Sequence, residues 1–166
     1  SSEWPRDPDS RGIILFDELT AADRSLQVAA YELILDRRLG DLYTVPEGWY
    51  ICAAGNRTED RAVATTMSSA LANRFLHVEL QSDVECWIQW ALGHDVHPTV
   101  IGFLRARPEL LFVQKDENLE RGWPSPRSWE RVSSMLKLVG KENPRMLRSI
   151  VYGLIGDRAG VEFMAF

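Results

Sequence analysis

Residues 12–19, Gly-Ile-Ile-Leu-Phe-Asp-Glu-Leu, constrain the fold more than any other stretch, because an unbroken apolar run stops abruptly at two adjacent carboxylates. Ile13 to Phe16 is too short for a helix of its own and apolar at every position. That pattern predicts a strand covered on both faces of a parallel sheet. Asp17 and Glu18 then emerge at its carboxyl end, where open α/β sheets place their ligands. One acidic group there can hold the water shell of a metal ion and a second can polarise an attacking water. An apolar strand ending in Asp or Glu also occurs as a helix cap or a solvated loop, so the motif needs company.

The rest of the chain supplies an organisation. The segment up to about Arg11 is rich in Pro, Asp, Ser and Arg and should be a loop feeding the strand. Thr20-x-x-Asp23 is a plausible capping box, and Leu26, Ala29, Ala30, Leu33 and Arg37 follow at helical spacing, which predicts a helix over 21–36. Leu39 to Val45, turning at Gly40-Asp41, suggests a small β-hairpin. Trp49 to Ala54 is a second apolar strand ending in Gly55-Asn56-Arg57, and Phe75 to Leu80, preceded by Ala72-Asn73-Arg74, repeats the pattern.

After Ser82 the pattern becomes helical. Ser82 can cap a helix over 83–92 with Val84, Trp87, Ile88 and Ala91 on one face. His97-Pro98 should open another, with a polar loop at 114–122 to follow. Ser125-Pro126 places a cap and a first-turn proline before Trp129, Val132, Met135, Leu136 and Val139, with Gly140 as terminator. Asn143-Pro144 repeats the device for helices over 145–155 and from Asp157 onward, apolar enough to close a small bundle. The expected division is therefore a strand-bearing core over 1–81 and an all-helical lid over 82–166.

Composition excludes some classes. Of the 166 residues, 45% are hydrophobic and 26% charged, with a net charge of -5, an ordinary globular balance that argues against a broad nucleic-acid footprint. No apolar run reaches bilayer length and the N-terminus has no signal-peptide core, which predicts a cytoplasmic protein with no membrane partner. Cys52 and Cys86 are expected to be buried thiols without a disulfide. His94-Asp95-x-His97 lacks the ligand spacing of a known metal site and is better explained as a loop. Trp87, Trp90 and Trp129 are expected in the lid core in preference to a base-stacking platform.

Four ordered motifs together resemble an AAA+ ATPase over nearly the whole chain: GIILFDEL resembles Walker B, AAGNR sensor 1, ALANRF the arginine-finger motif and PSPRSWE sensor 2. The hairpin and the Ser-Pro-Arg sensor are most similar to the MoxR-like branch. The resemblance implies a partial parallel sheet of a P-loop NTPase followed by a helical lid, with ATP and Mg²⁺ as cofactors. It implies that Asp17 holds the Mg²⁺ shell through water, Glu18 serves as the base, and Asn56 orients the water or reads the γ-phosphate. Arg74 would act in trans on a neighbour's nucleotide, and Arg127 would reach the nucleotide from the lid. Each role has a plainer rival. Asn56 could cap a short helix, Arg74 could form a surface ion pair, Arg127 could lie on a solvated face, and Arg57 and Arg61 compete with Arg74 for the trans role.

The family implies a ring, commonly of six subunits, that remodels or matures a client protein as a chaperone, frequently beside a von Willebrand A-domain partner. One departure stands out: the sequence contains no Gly-x-x-x-x-Gly-Lys-Ser/Thr loop. Two accounts follow, a fragment covering the back half of the core plus lid and inactive alone, or an adaptor that binds a partner protein and never had the loop. In the fragment account the Phe75 to Leu80 strand lacks its neighbour in the sheet, and pairing, strand exchange or other polypeptide should cover it.

Overall fold

The computed structural model describes residues 4–55, 72–113, 122–140 and 143–166. The chain divides into two compact units, Ser1–Val78 and Glu79–Phe166.

The first unit is built on two strands, β1 (Gly12–Phe16) and β4 (Trp49–Ala53), paired in parallel with Ile14 opposite Ile51 and Phe16 opposite Ala53. Parallel strands need a crossover. Here it runs through a 3₁₀ turn at Leu19–Ala21, helix α1 (Arg24–Asp36), and an antiparallel hairpin of β2 (Arg38–Leu39) and β3 (Tyr43–Thr44). The α1 N-cap is Asp23, whose Oδ1 accepts from the Ser25 and Leu26 amides at 2.9 Å each, so Thr20 does not cap this helix. Thr20 lies in the 3₁₀ turn, too early to reach those amides. The buried row of α1 is Gln27, Ala30 and Leu33, whereas Leu26, which the periodicity places inward, is exposed. At the other end Arg37 adopts a left-handed conformation and its Nη2 donates to the Pro46 and Trp49 carbonyls at 2.8 Å each, fixing the end of α1 to the start of β4.

The expectation that β1 is covered on both faces is overturned. Its burial alternates: Ile14 and Phe16 are half-buried, while Ile13, Leu15 and their β4 neighbours Tyr50 and Cys52 form an open face. Ile13 is 66% exposed and Tyr50 76%, since among the described residues this sheet has two strands and one covered face. Cys52 is therefore not the buried thiol expected of it, and Cys86, on the outer side of its helix, is likewise exposed and free. The third strand predicted at Phe75–Leu80 is also absent. Among the described residues 76–80 pair with no ladder, and Leu76 and Leu80 are about nine-tenths exposed, so alternating side chains did not suffice without a neighbouring strand.

The second unit matches its sequence pattern closely. Helix α2 (Val84–Gly93) is capped by Asp83, one residue later than the expected Ser82, because Asp83 is the residue whose carboxylate reaches the Cys86 amide at 2.7 Å. His97 caps α3 (Pro98–Ala106), Ser125 caps α4 (Pro126–Val139) in a reciprocal box with Ser128, and Asn143 caps α5 (Pro144–Ala165). Helix α5 breaks at Gly156, whose φ of 76° is a conformation open to glycine at little cost, so the two expected helices are present as halves. Their apolar rows meet in one core of Trp87, Ile88, Phe103, Leu104, Trp129, Val132, Val151 and Phe163 among others. Trp129 is fully buried, with its Nε1 donating to the Leu110 carbonyl at 2.8 Å, and its ring lies 5.3 Å from Phe103 and 5.4 Å from Phe163. Among the described residues no helix is long and apolar enough to cross a membrane.

Candidate functional site

Parallel pairing decides where the site sits. Because β1 and β4 run in the same direction, the turn carrying Asp17 and Glu18 and the segment Ala54-Gly55 leave the sheet at the same end. Backbone bonds then lace these exits together: the Ala54 amide donates to the Phe16 carbonyl at 2.8 Å, and the Leu19 amide to the Ala54 carbonyl at 3.0 Å. Asp17 and Glu18 are both exposed, so both carboxylates face solvent. Glu18 has a φ of 53°, in the left-handed region that costs a residue with a side chain about 1 kcal/mol or more.

Two residues that the pattern reading passed over hold this arrangement. Gly55 lies so close to the turn that a methyl group on it would sit 2.7 Å from Thr20 Oγ1 and 2.8 Å from Thr20 Cγ2. A larger residue here would have to displace the Thr20 side chain, so glycine suits the close approach of the end of β4 to this turn. Gln27 is 4% exposed, and its Nε2 donates to the Leu19 carbonyl at 3.3 Å and the Ala22 carbonyl at 3.1 Å. Its Oε1 in turn accepts from the Tyr31 hydroxyl at 3.0 Å. A glutamine at an inward helical position was the available signal, since a buried amide must find partners.

The other expected site residues are distributed differently. Asn56 lies outside the described residues, as do Arg57, Arg61 and most of the 114–122 loop. Arg74 is exposed on a turn closed by the Phe75 amide donating to the Ala72 carbonyl at 3.2 Å. Arg127 is exposed in the first turn of α4, directly after the Ser125 cap. The structure thus brings together Asp17, Glu18 and the Gly55 end of β4.

Among the described residues no group of three or more His, Cys, Asp or Glu side chains could hold a metal. Mg²⁺ does not need one, since it keeps several waters and is bound through one or two carboxylates and substrate phosphates. The exposed, hard-oxygen donor of Asp17 suits that role. The His94 segment has structural uses: the His94 ring stacks on Trp90 at 4.5 Å, Asp95 Oδ2 pairs with Lys137 Nζ at 2.7 Å, and His97 Nδ1 accepts from the Thr99 amide at 3.2 Å. Trp90, expected inside the helical core, is 37% exposed at its rim. A shallow cavity of about 220 Å³ is lined by Arg6, Asp41, Leu42, Tyr43 and Thr44 at the hairpin, and none of the expected site residues lines it.

Comparison of the chain with protein-family models, curated proteins and solved structures finds no match.

Proposed function

We propose that this chain is the part of a MoxR-like AAA+ ATPase that runs from the Walker B strand through the helical lid, in a protein that uses ATP hydrolysis to remodel or mature client proteins. The observation that supports it most is the parallel pairing of β1 with β4, which sends Asp17-Glu18 and Ala54-Gly55 out at one sheet end. That is the geometry in which a Walker B pair and a sensor residue serve one phosphate.

In this reading Asp17 orients the water shell of Mg²⁺, Glu18 polarises the attacking water, and Asn56, next after Gly55, orients that water or reads the γ-phosphate. Bound Mg-ATP supplies the phosphoryl group and neutralises part of its charge. Arg127 contributes from a capped, rigid helix of the lid, and Arg74 contributes from one subunit to its neighbour in a ring of about six. The protein is cytoplasmic, and a von Willebrand A-domain protein is the partner class that the resemblance suggests.

A second reading has an observation in its favour. The open apolar face of Ile13, Leu15 and Tyr50 suits an adaptor that binds a partner protein without hydrolysis. One substitution separates the two readings. In the full-length protein, Glu18→Gln should reduce steady-state turnover at least about a hundredfold while ATP affinity changes less than about threefold, because only the second carboxylate's charge is removed. Near-normal turnover in that variant, or no turnover in the wild type, overturns the ATPase assignment.

A further inference from the structure

We infer that Gln27 is a positioning residue for Glu18, holding the acidic turn in its left-handed conformation from inside the fold. The inference rests on the functional reading above and adds to it a residue that touches neither phosphate nor metal.

Glu18 occupies a backbone conformation that its side chain disfavours, and such a conformation persists only where the surroundings impose it. Several bonds among the described residues do so. The turn after Glu18 closes on itself through the Ala21 amide to the Glu18 carbonyl at 2.8 Å and a long bond from the Ala22 amide to the Leu19 carbonyl at 3.4 Å. Gln27 supplies what that weak bond lacks: one amide nitrogen spans the Leu19 and Ala22 carbonyls, from both ends of the turn, out of a buried position on α1. Tyr31, a turn further along the helix, fixes the orientation of that amide by donating to its oxygen. On its other side Leu19 is tied to Ala54. A continuous chain of bonds therefore runs from Tyr31 through Gln27 and Leu19 to the end of β4, and Glu18 is the residue just before its midpoint.

The amide is the chemistry this position needs. Two carbonyls of one turn call for a donor carrying two hydrogens on one atom, and the hydroxyl of Tyr31 calls for an acceptor beside it. A hydrophobic residue of similar length fills the space but withdraws the side-chain donor from both carbonyls, leaving Leu19 only the long bond from the Ala22 amide, which loosens the turn while α1 stays packed through Ala30 and Leu33.

The test uses Gln27→Met, which keeps length and apolar bulk, and the milder Tyr31→Phe, which removes only the bond that orients the amide. In the full-length protein, Gln27→Met should lower kcat for ATP by about tenfold to a hundredfold with KM within about threefold, and Tyr31→Phe should lower it less. In the chain itself, amide hydrogen exchange should show protection at Leu19 and Ala21 falling about tenfold in both variants while the amides of α1 and β4 keep theirs. Unchanged kcat together with unchanged Leu19 protection overturns the inference. So does a uniform loss of protection across α1 and β4, which marks Gln27 as a packing residue alone. Wild-type turnover that ignores Glu18→Gln overturns the ATPase reading instead, and the exchange measurement then still decides whether Gln27 holds the turn.

Discussion

The Leu19 amide donates a 3.0 Å hydrogen bond to the Ala54 carbonyl, joining the residue after Glu18 to the residue before Gly55. This bond joins the exits of two strands far apart in sequence at one corner. In the proposed ATPase this geometry would matter because a phosphoryl-transfer site works by position and electrostatics more than by covalent chemistry.

If Arg74 acts on the neighbouring subunit's nucleotide, a mixture of two dead variants should recover activity. In the full-length protein, subunits with Arg74→Ala and subunits with Glu18→Gln, each inactive alone, are expected to regain part of wild-type turnover when mixed, since some interfaces then pair an intact Glu18 with an intact Arg74. Recovery is measured as phosphate release across mixing ratios, with mixed rings verified by tagged pull-down. Its absence places Arg74 in its own subunit's site.

Without a Gly-Lys-Ser/Thr loop in its sequence, the chain as given should bind Mg-ATP weakly and release no phosphate. Phosphate affinity in such proteins comes from consecutive backbone amides at a helix N-terminus and the loop lysine, and Asp17 and Glu18 repel a polyphosphate. Titration calorimetry and a phosphate-release assay on the purified chain check this. Micromolar binding with turnover means that a different phosphate cradle exists.

The helical core should be sensitive to Trp129, whose indole is fully buried in it. Trp129→Phe keeps a ring between Phe103 and Phe163 but leaves the Leu110 carbonyl without its 2.8 Å donor. The expected loss is about 1–3 kcal/mol, against about 3–5 kcal/mol for Trp129→Ala, which also opens a cavity. Urea denaturation followed by circular dichroism measures both, and equal losses would assign the whole effect to the hydrogen bond.

Acid should weaken the helical unit at the Asp83 cap and at the Asp95–Lys137 pair. The hydrogen bond from the Cys86 amide holds the Asp83 carboxyl below its ordinary range, and the hydrogen bond and charge of Lys137 do the same for Asp95. A carboxylate whose folded pKa is depressed contributes stability above its unfolded value, and that contribution is lost as pH falls through the folded value. Thermal midpoints should therefore drop as pH falls below about 4, and less steeply in Asp83→Asn, whose cap accepts the same bond without titrating. An identical pH profile in that variant removes Asp83 from the account.

The helical unit was written locally. Ser125-Pro126, Asn143-Pro144 and His97-Pro98 each place a side-chain acceptor beside a proline that fits a first turn, and the rows behind them repeat at helical spacing, so starts and buried faces were legible from neighbours in sequence. The paired strands, the hairpin and the carboxylates at a strand end were legible for the same reason. Three things were not. Whether Ile13 and Leu15 are covered depends on what lies across the sheet, which no local pattern encodes. The apolar pattern in Phe75–Leu80 describes side chains, but a strand requires a partner's backbone, and among the described residues none is paired with it. In the linear pattern Gln27 is one polar residue among the apolar ones of its helix, and only the fold brings the Leu19 and Ala22 carbonyls to its side chain. Its importance is a property of where two carbonyls end up in space, and a linear sequence states their positions only through the folded chain.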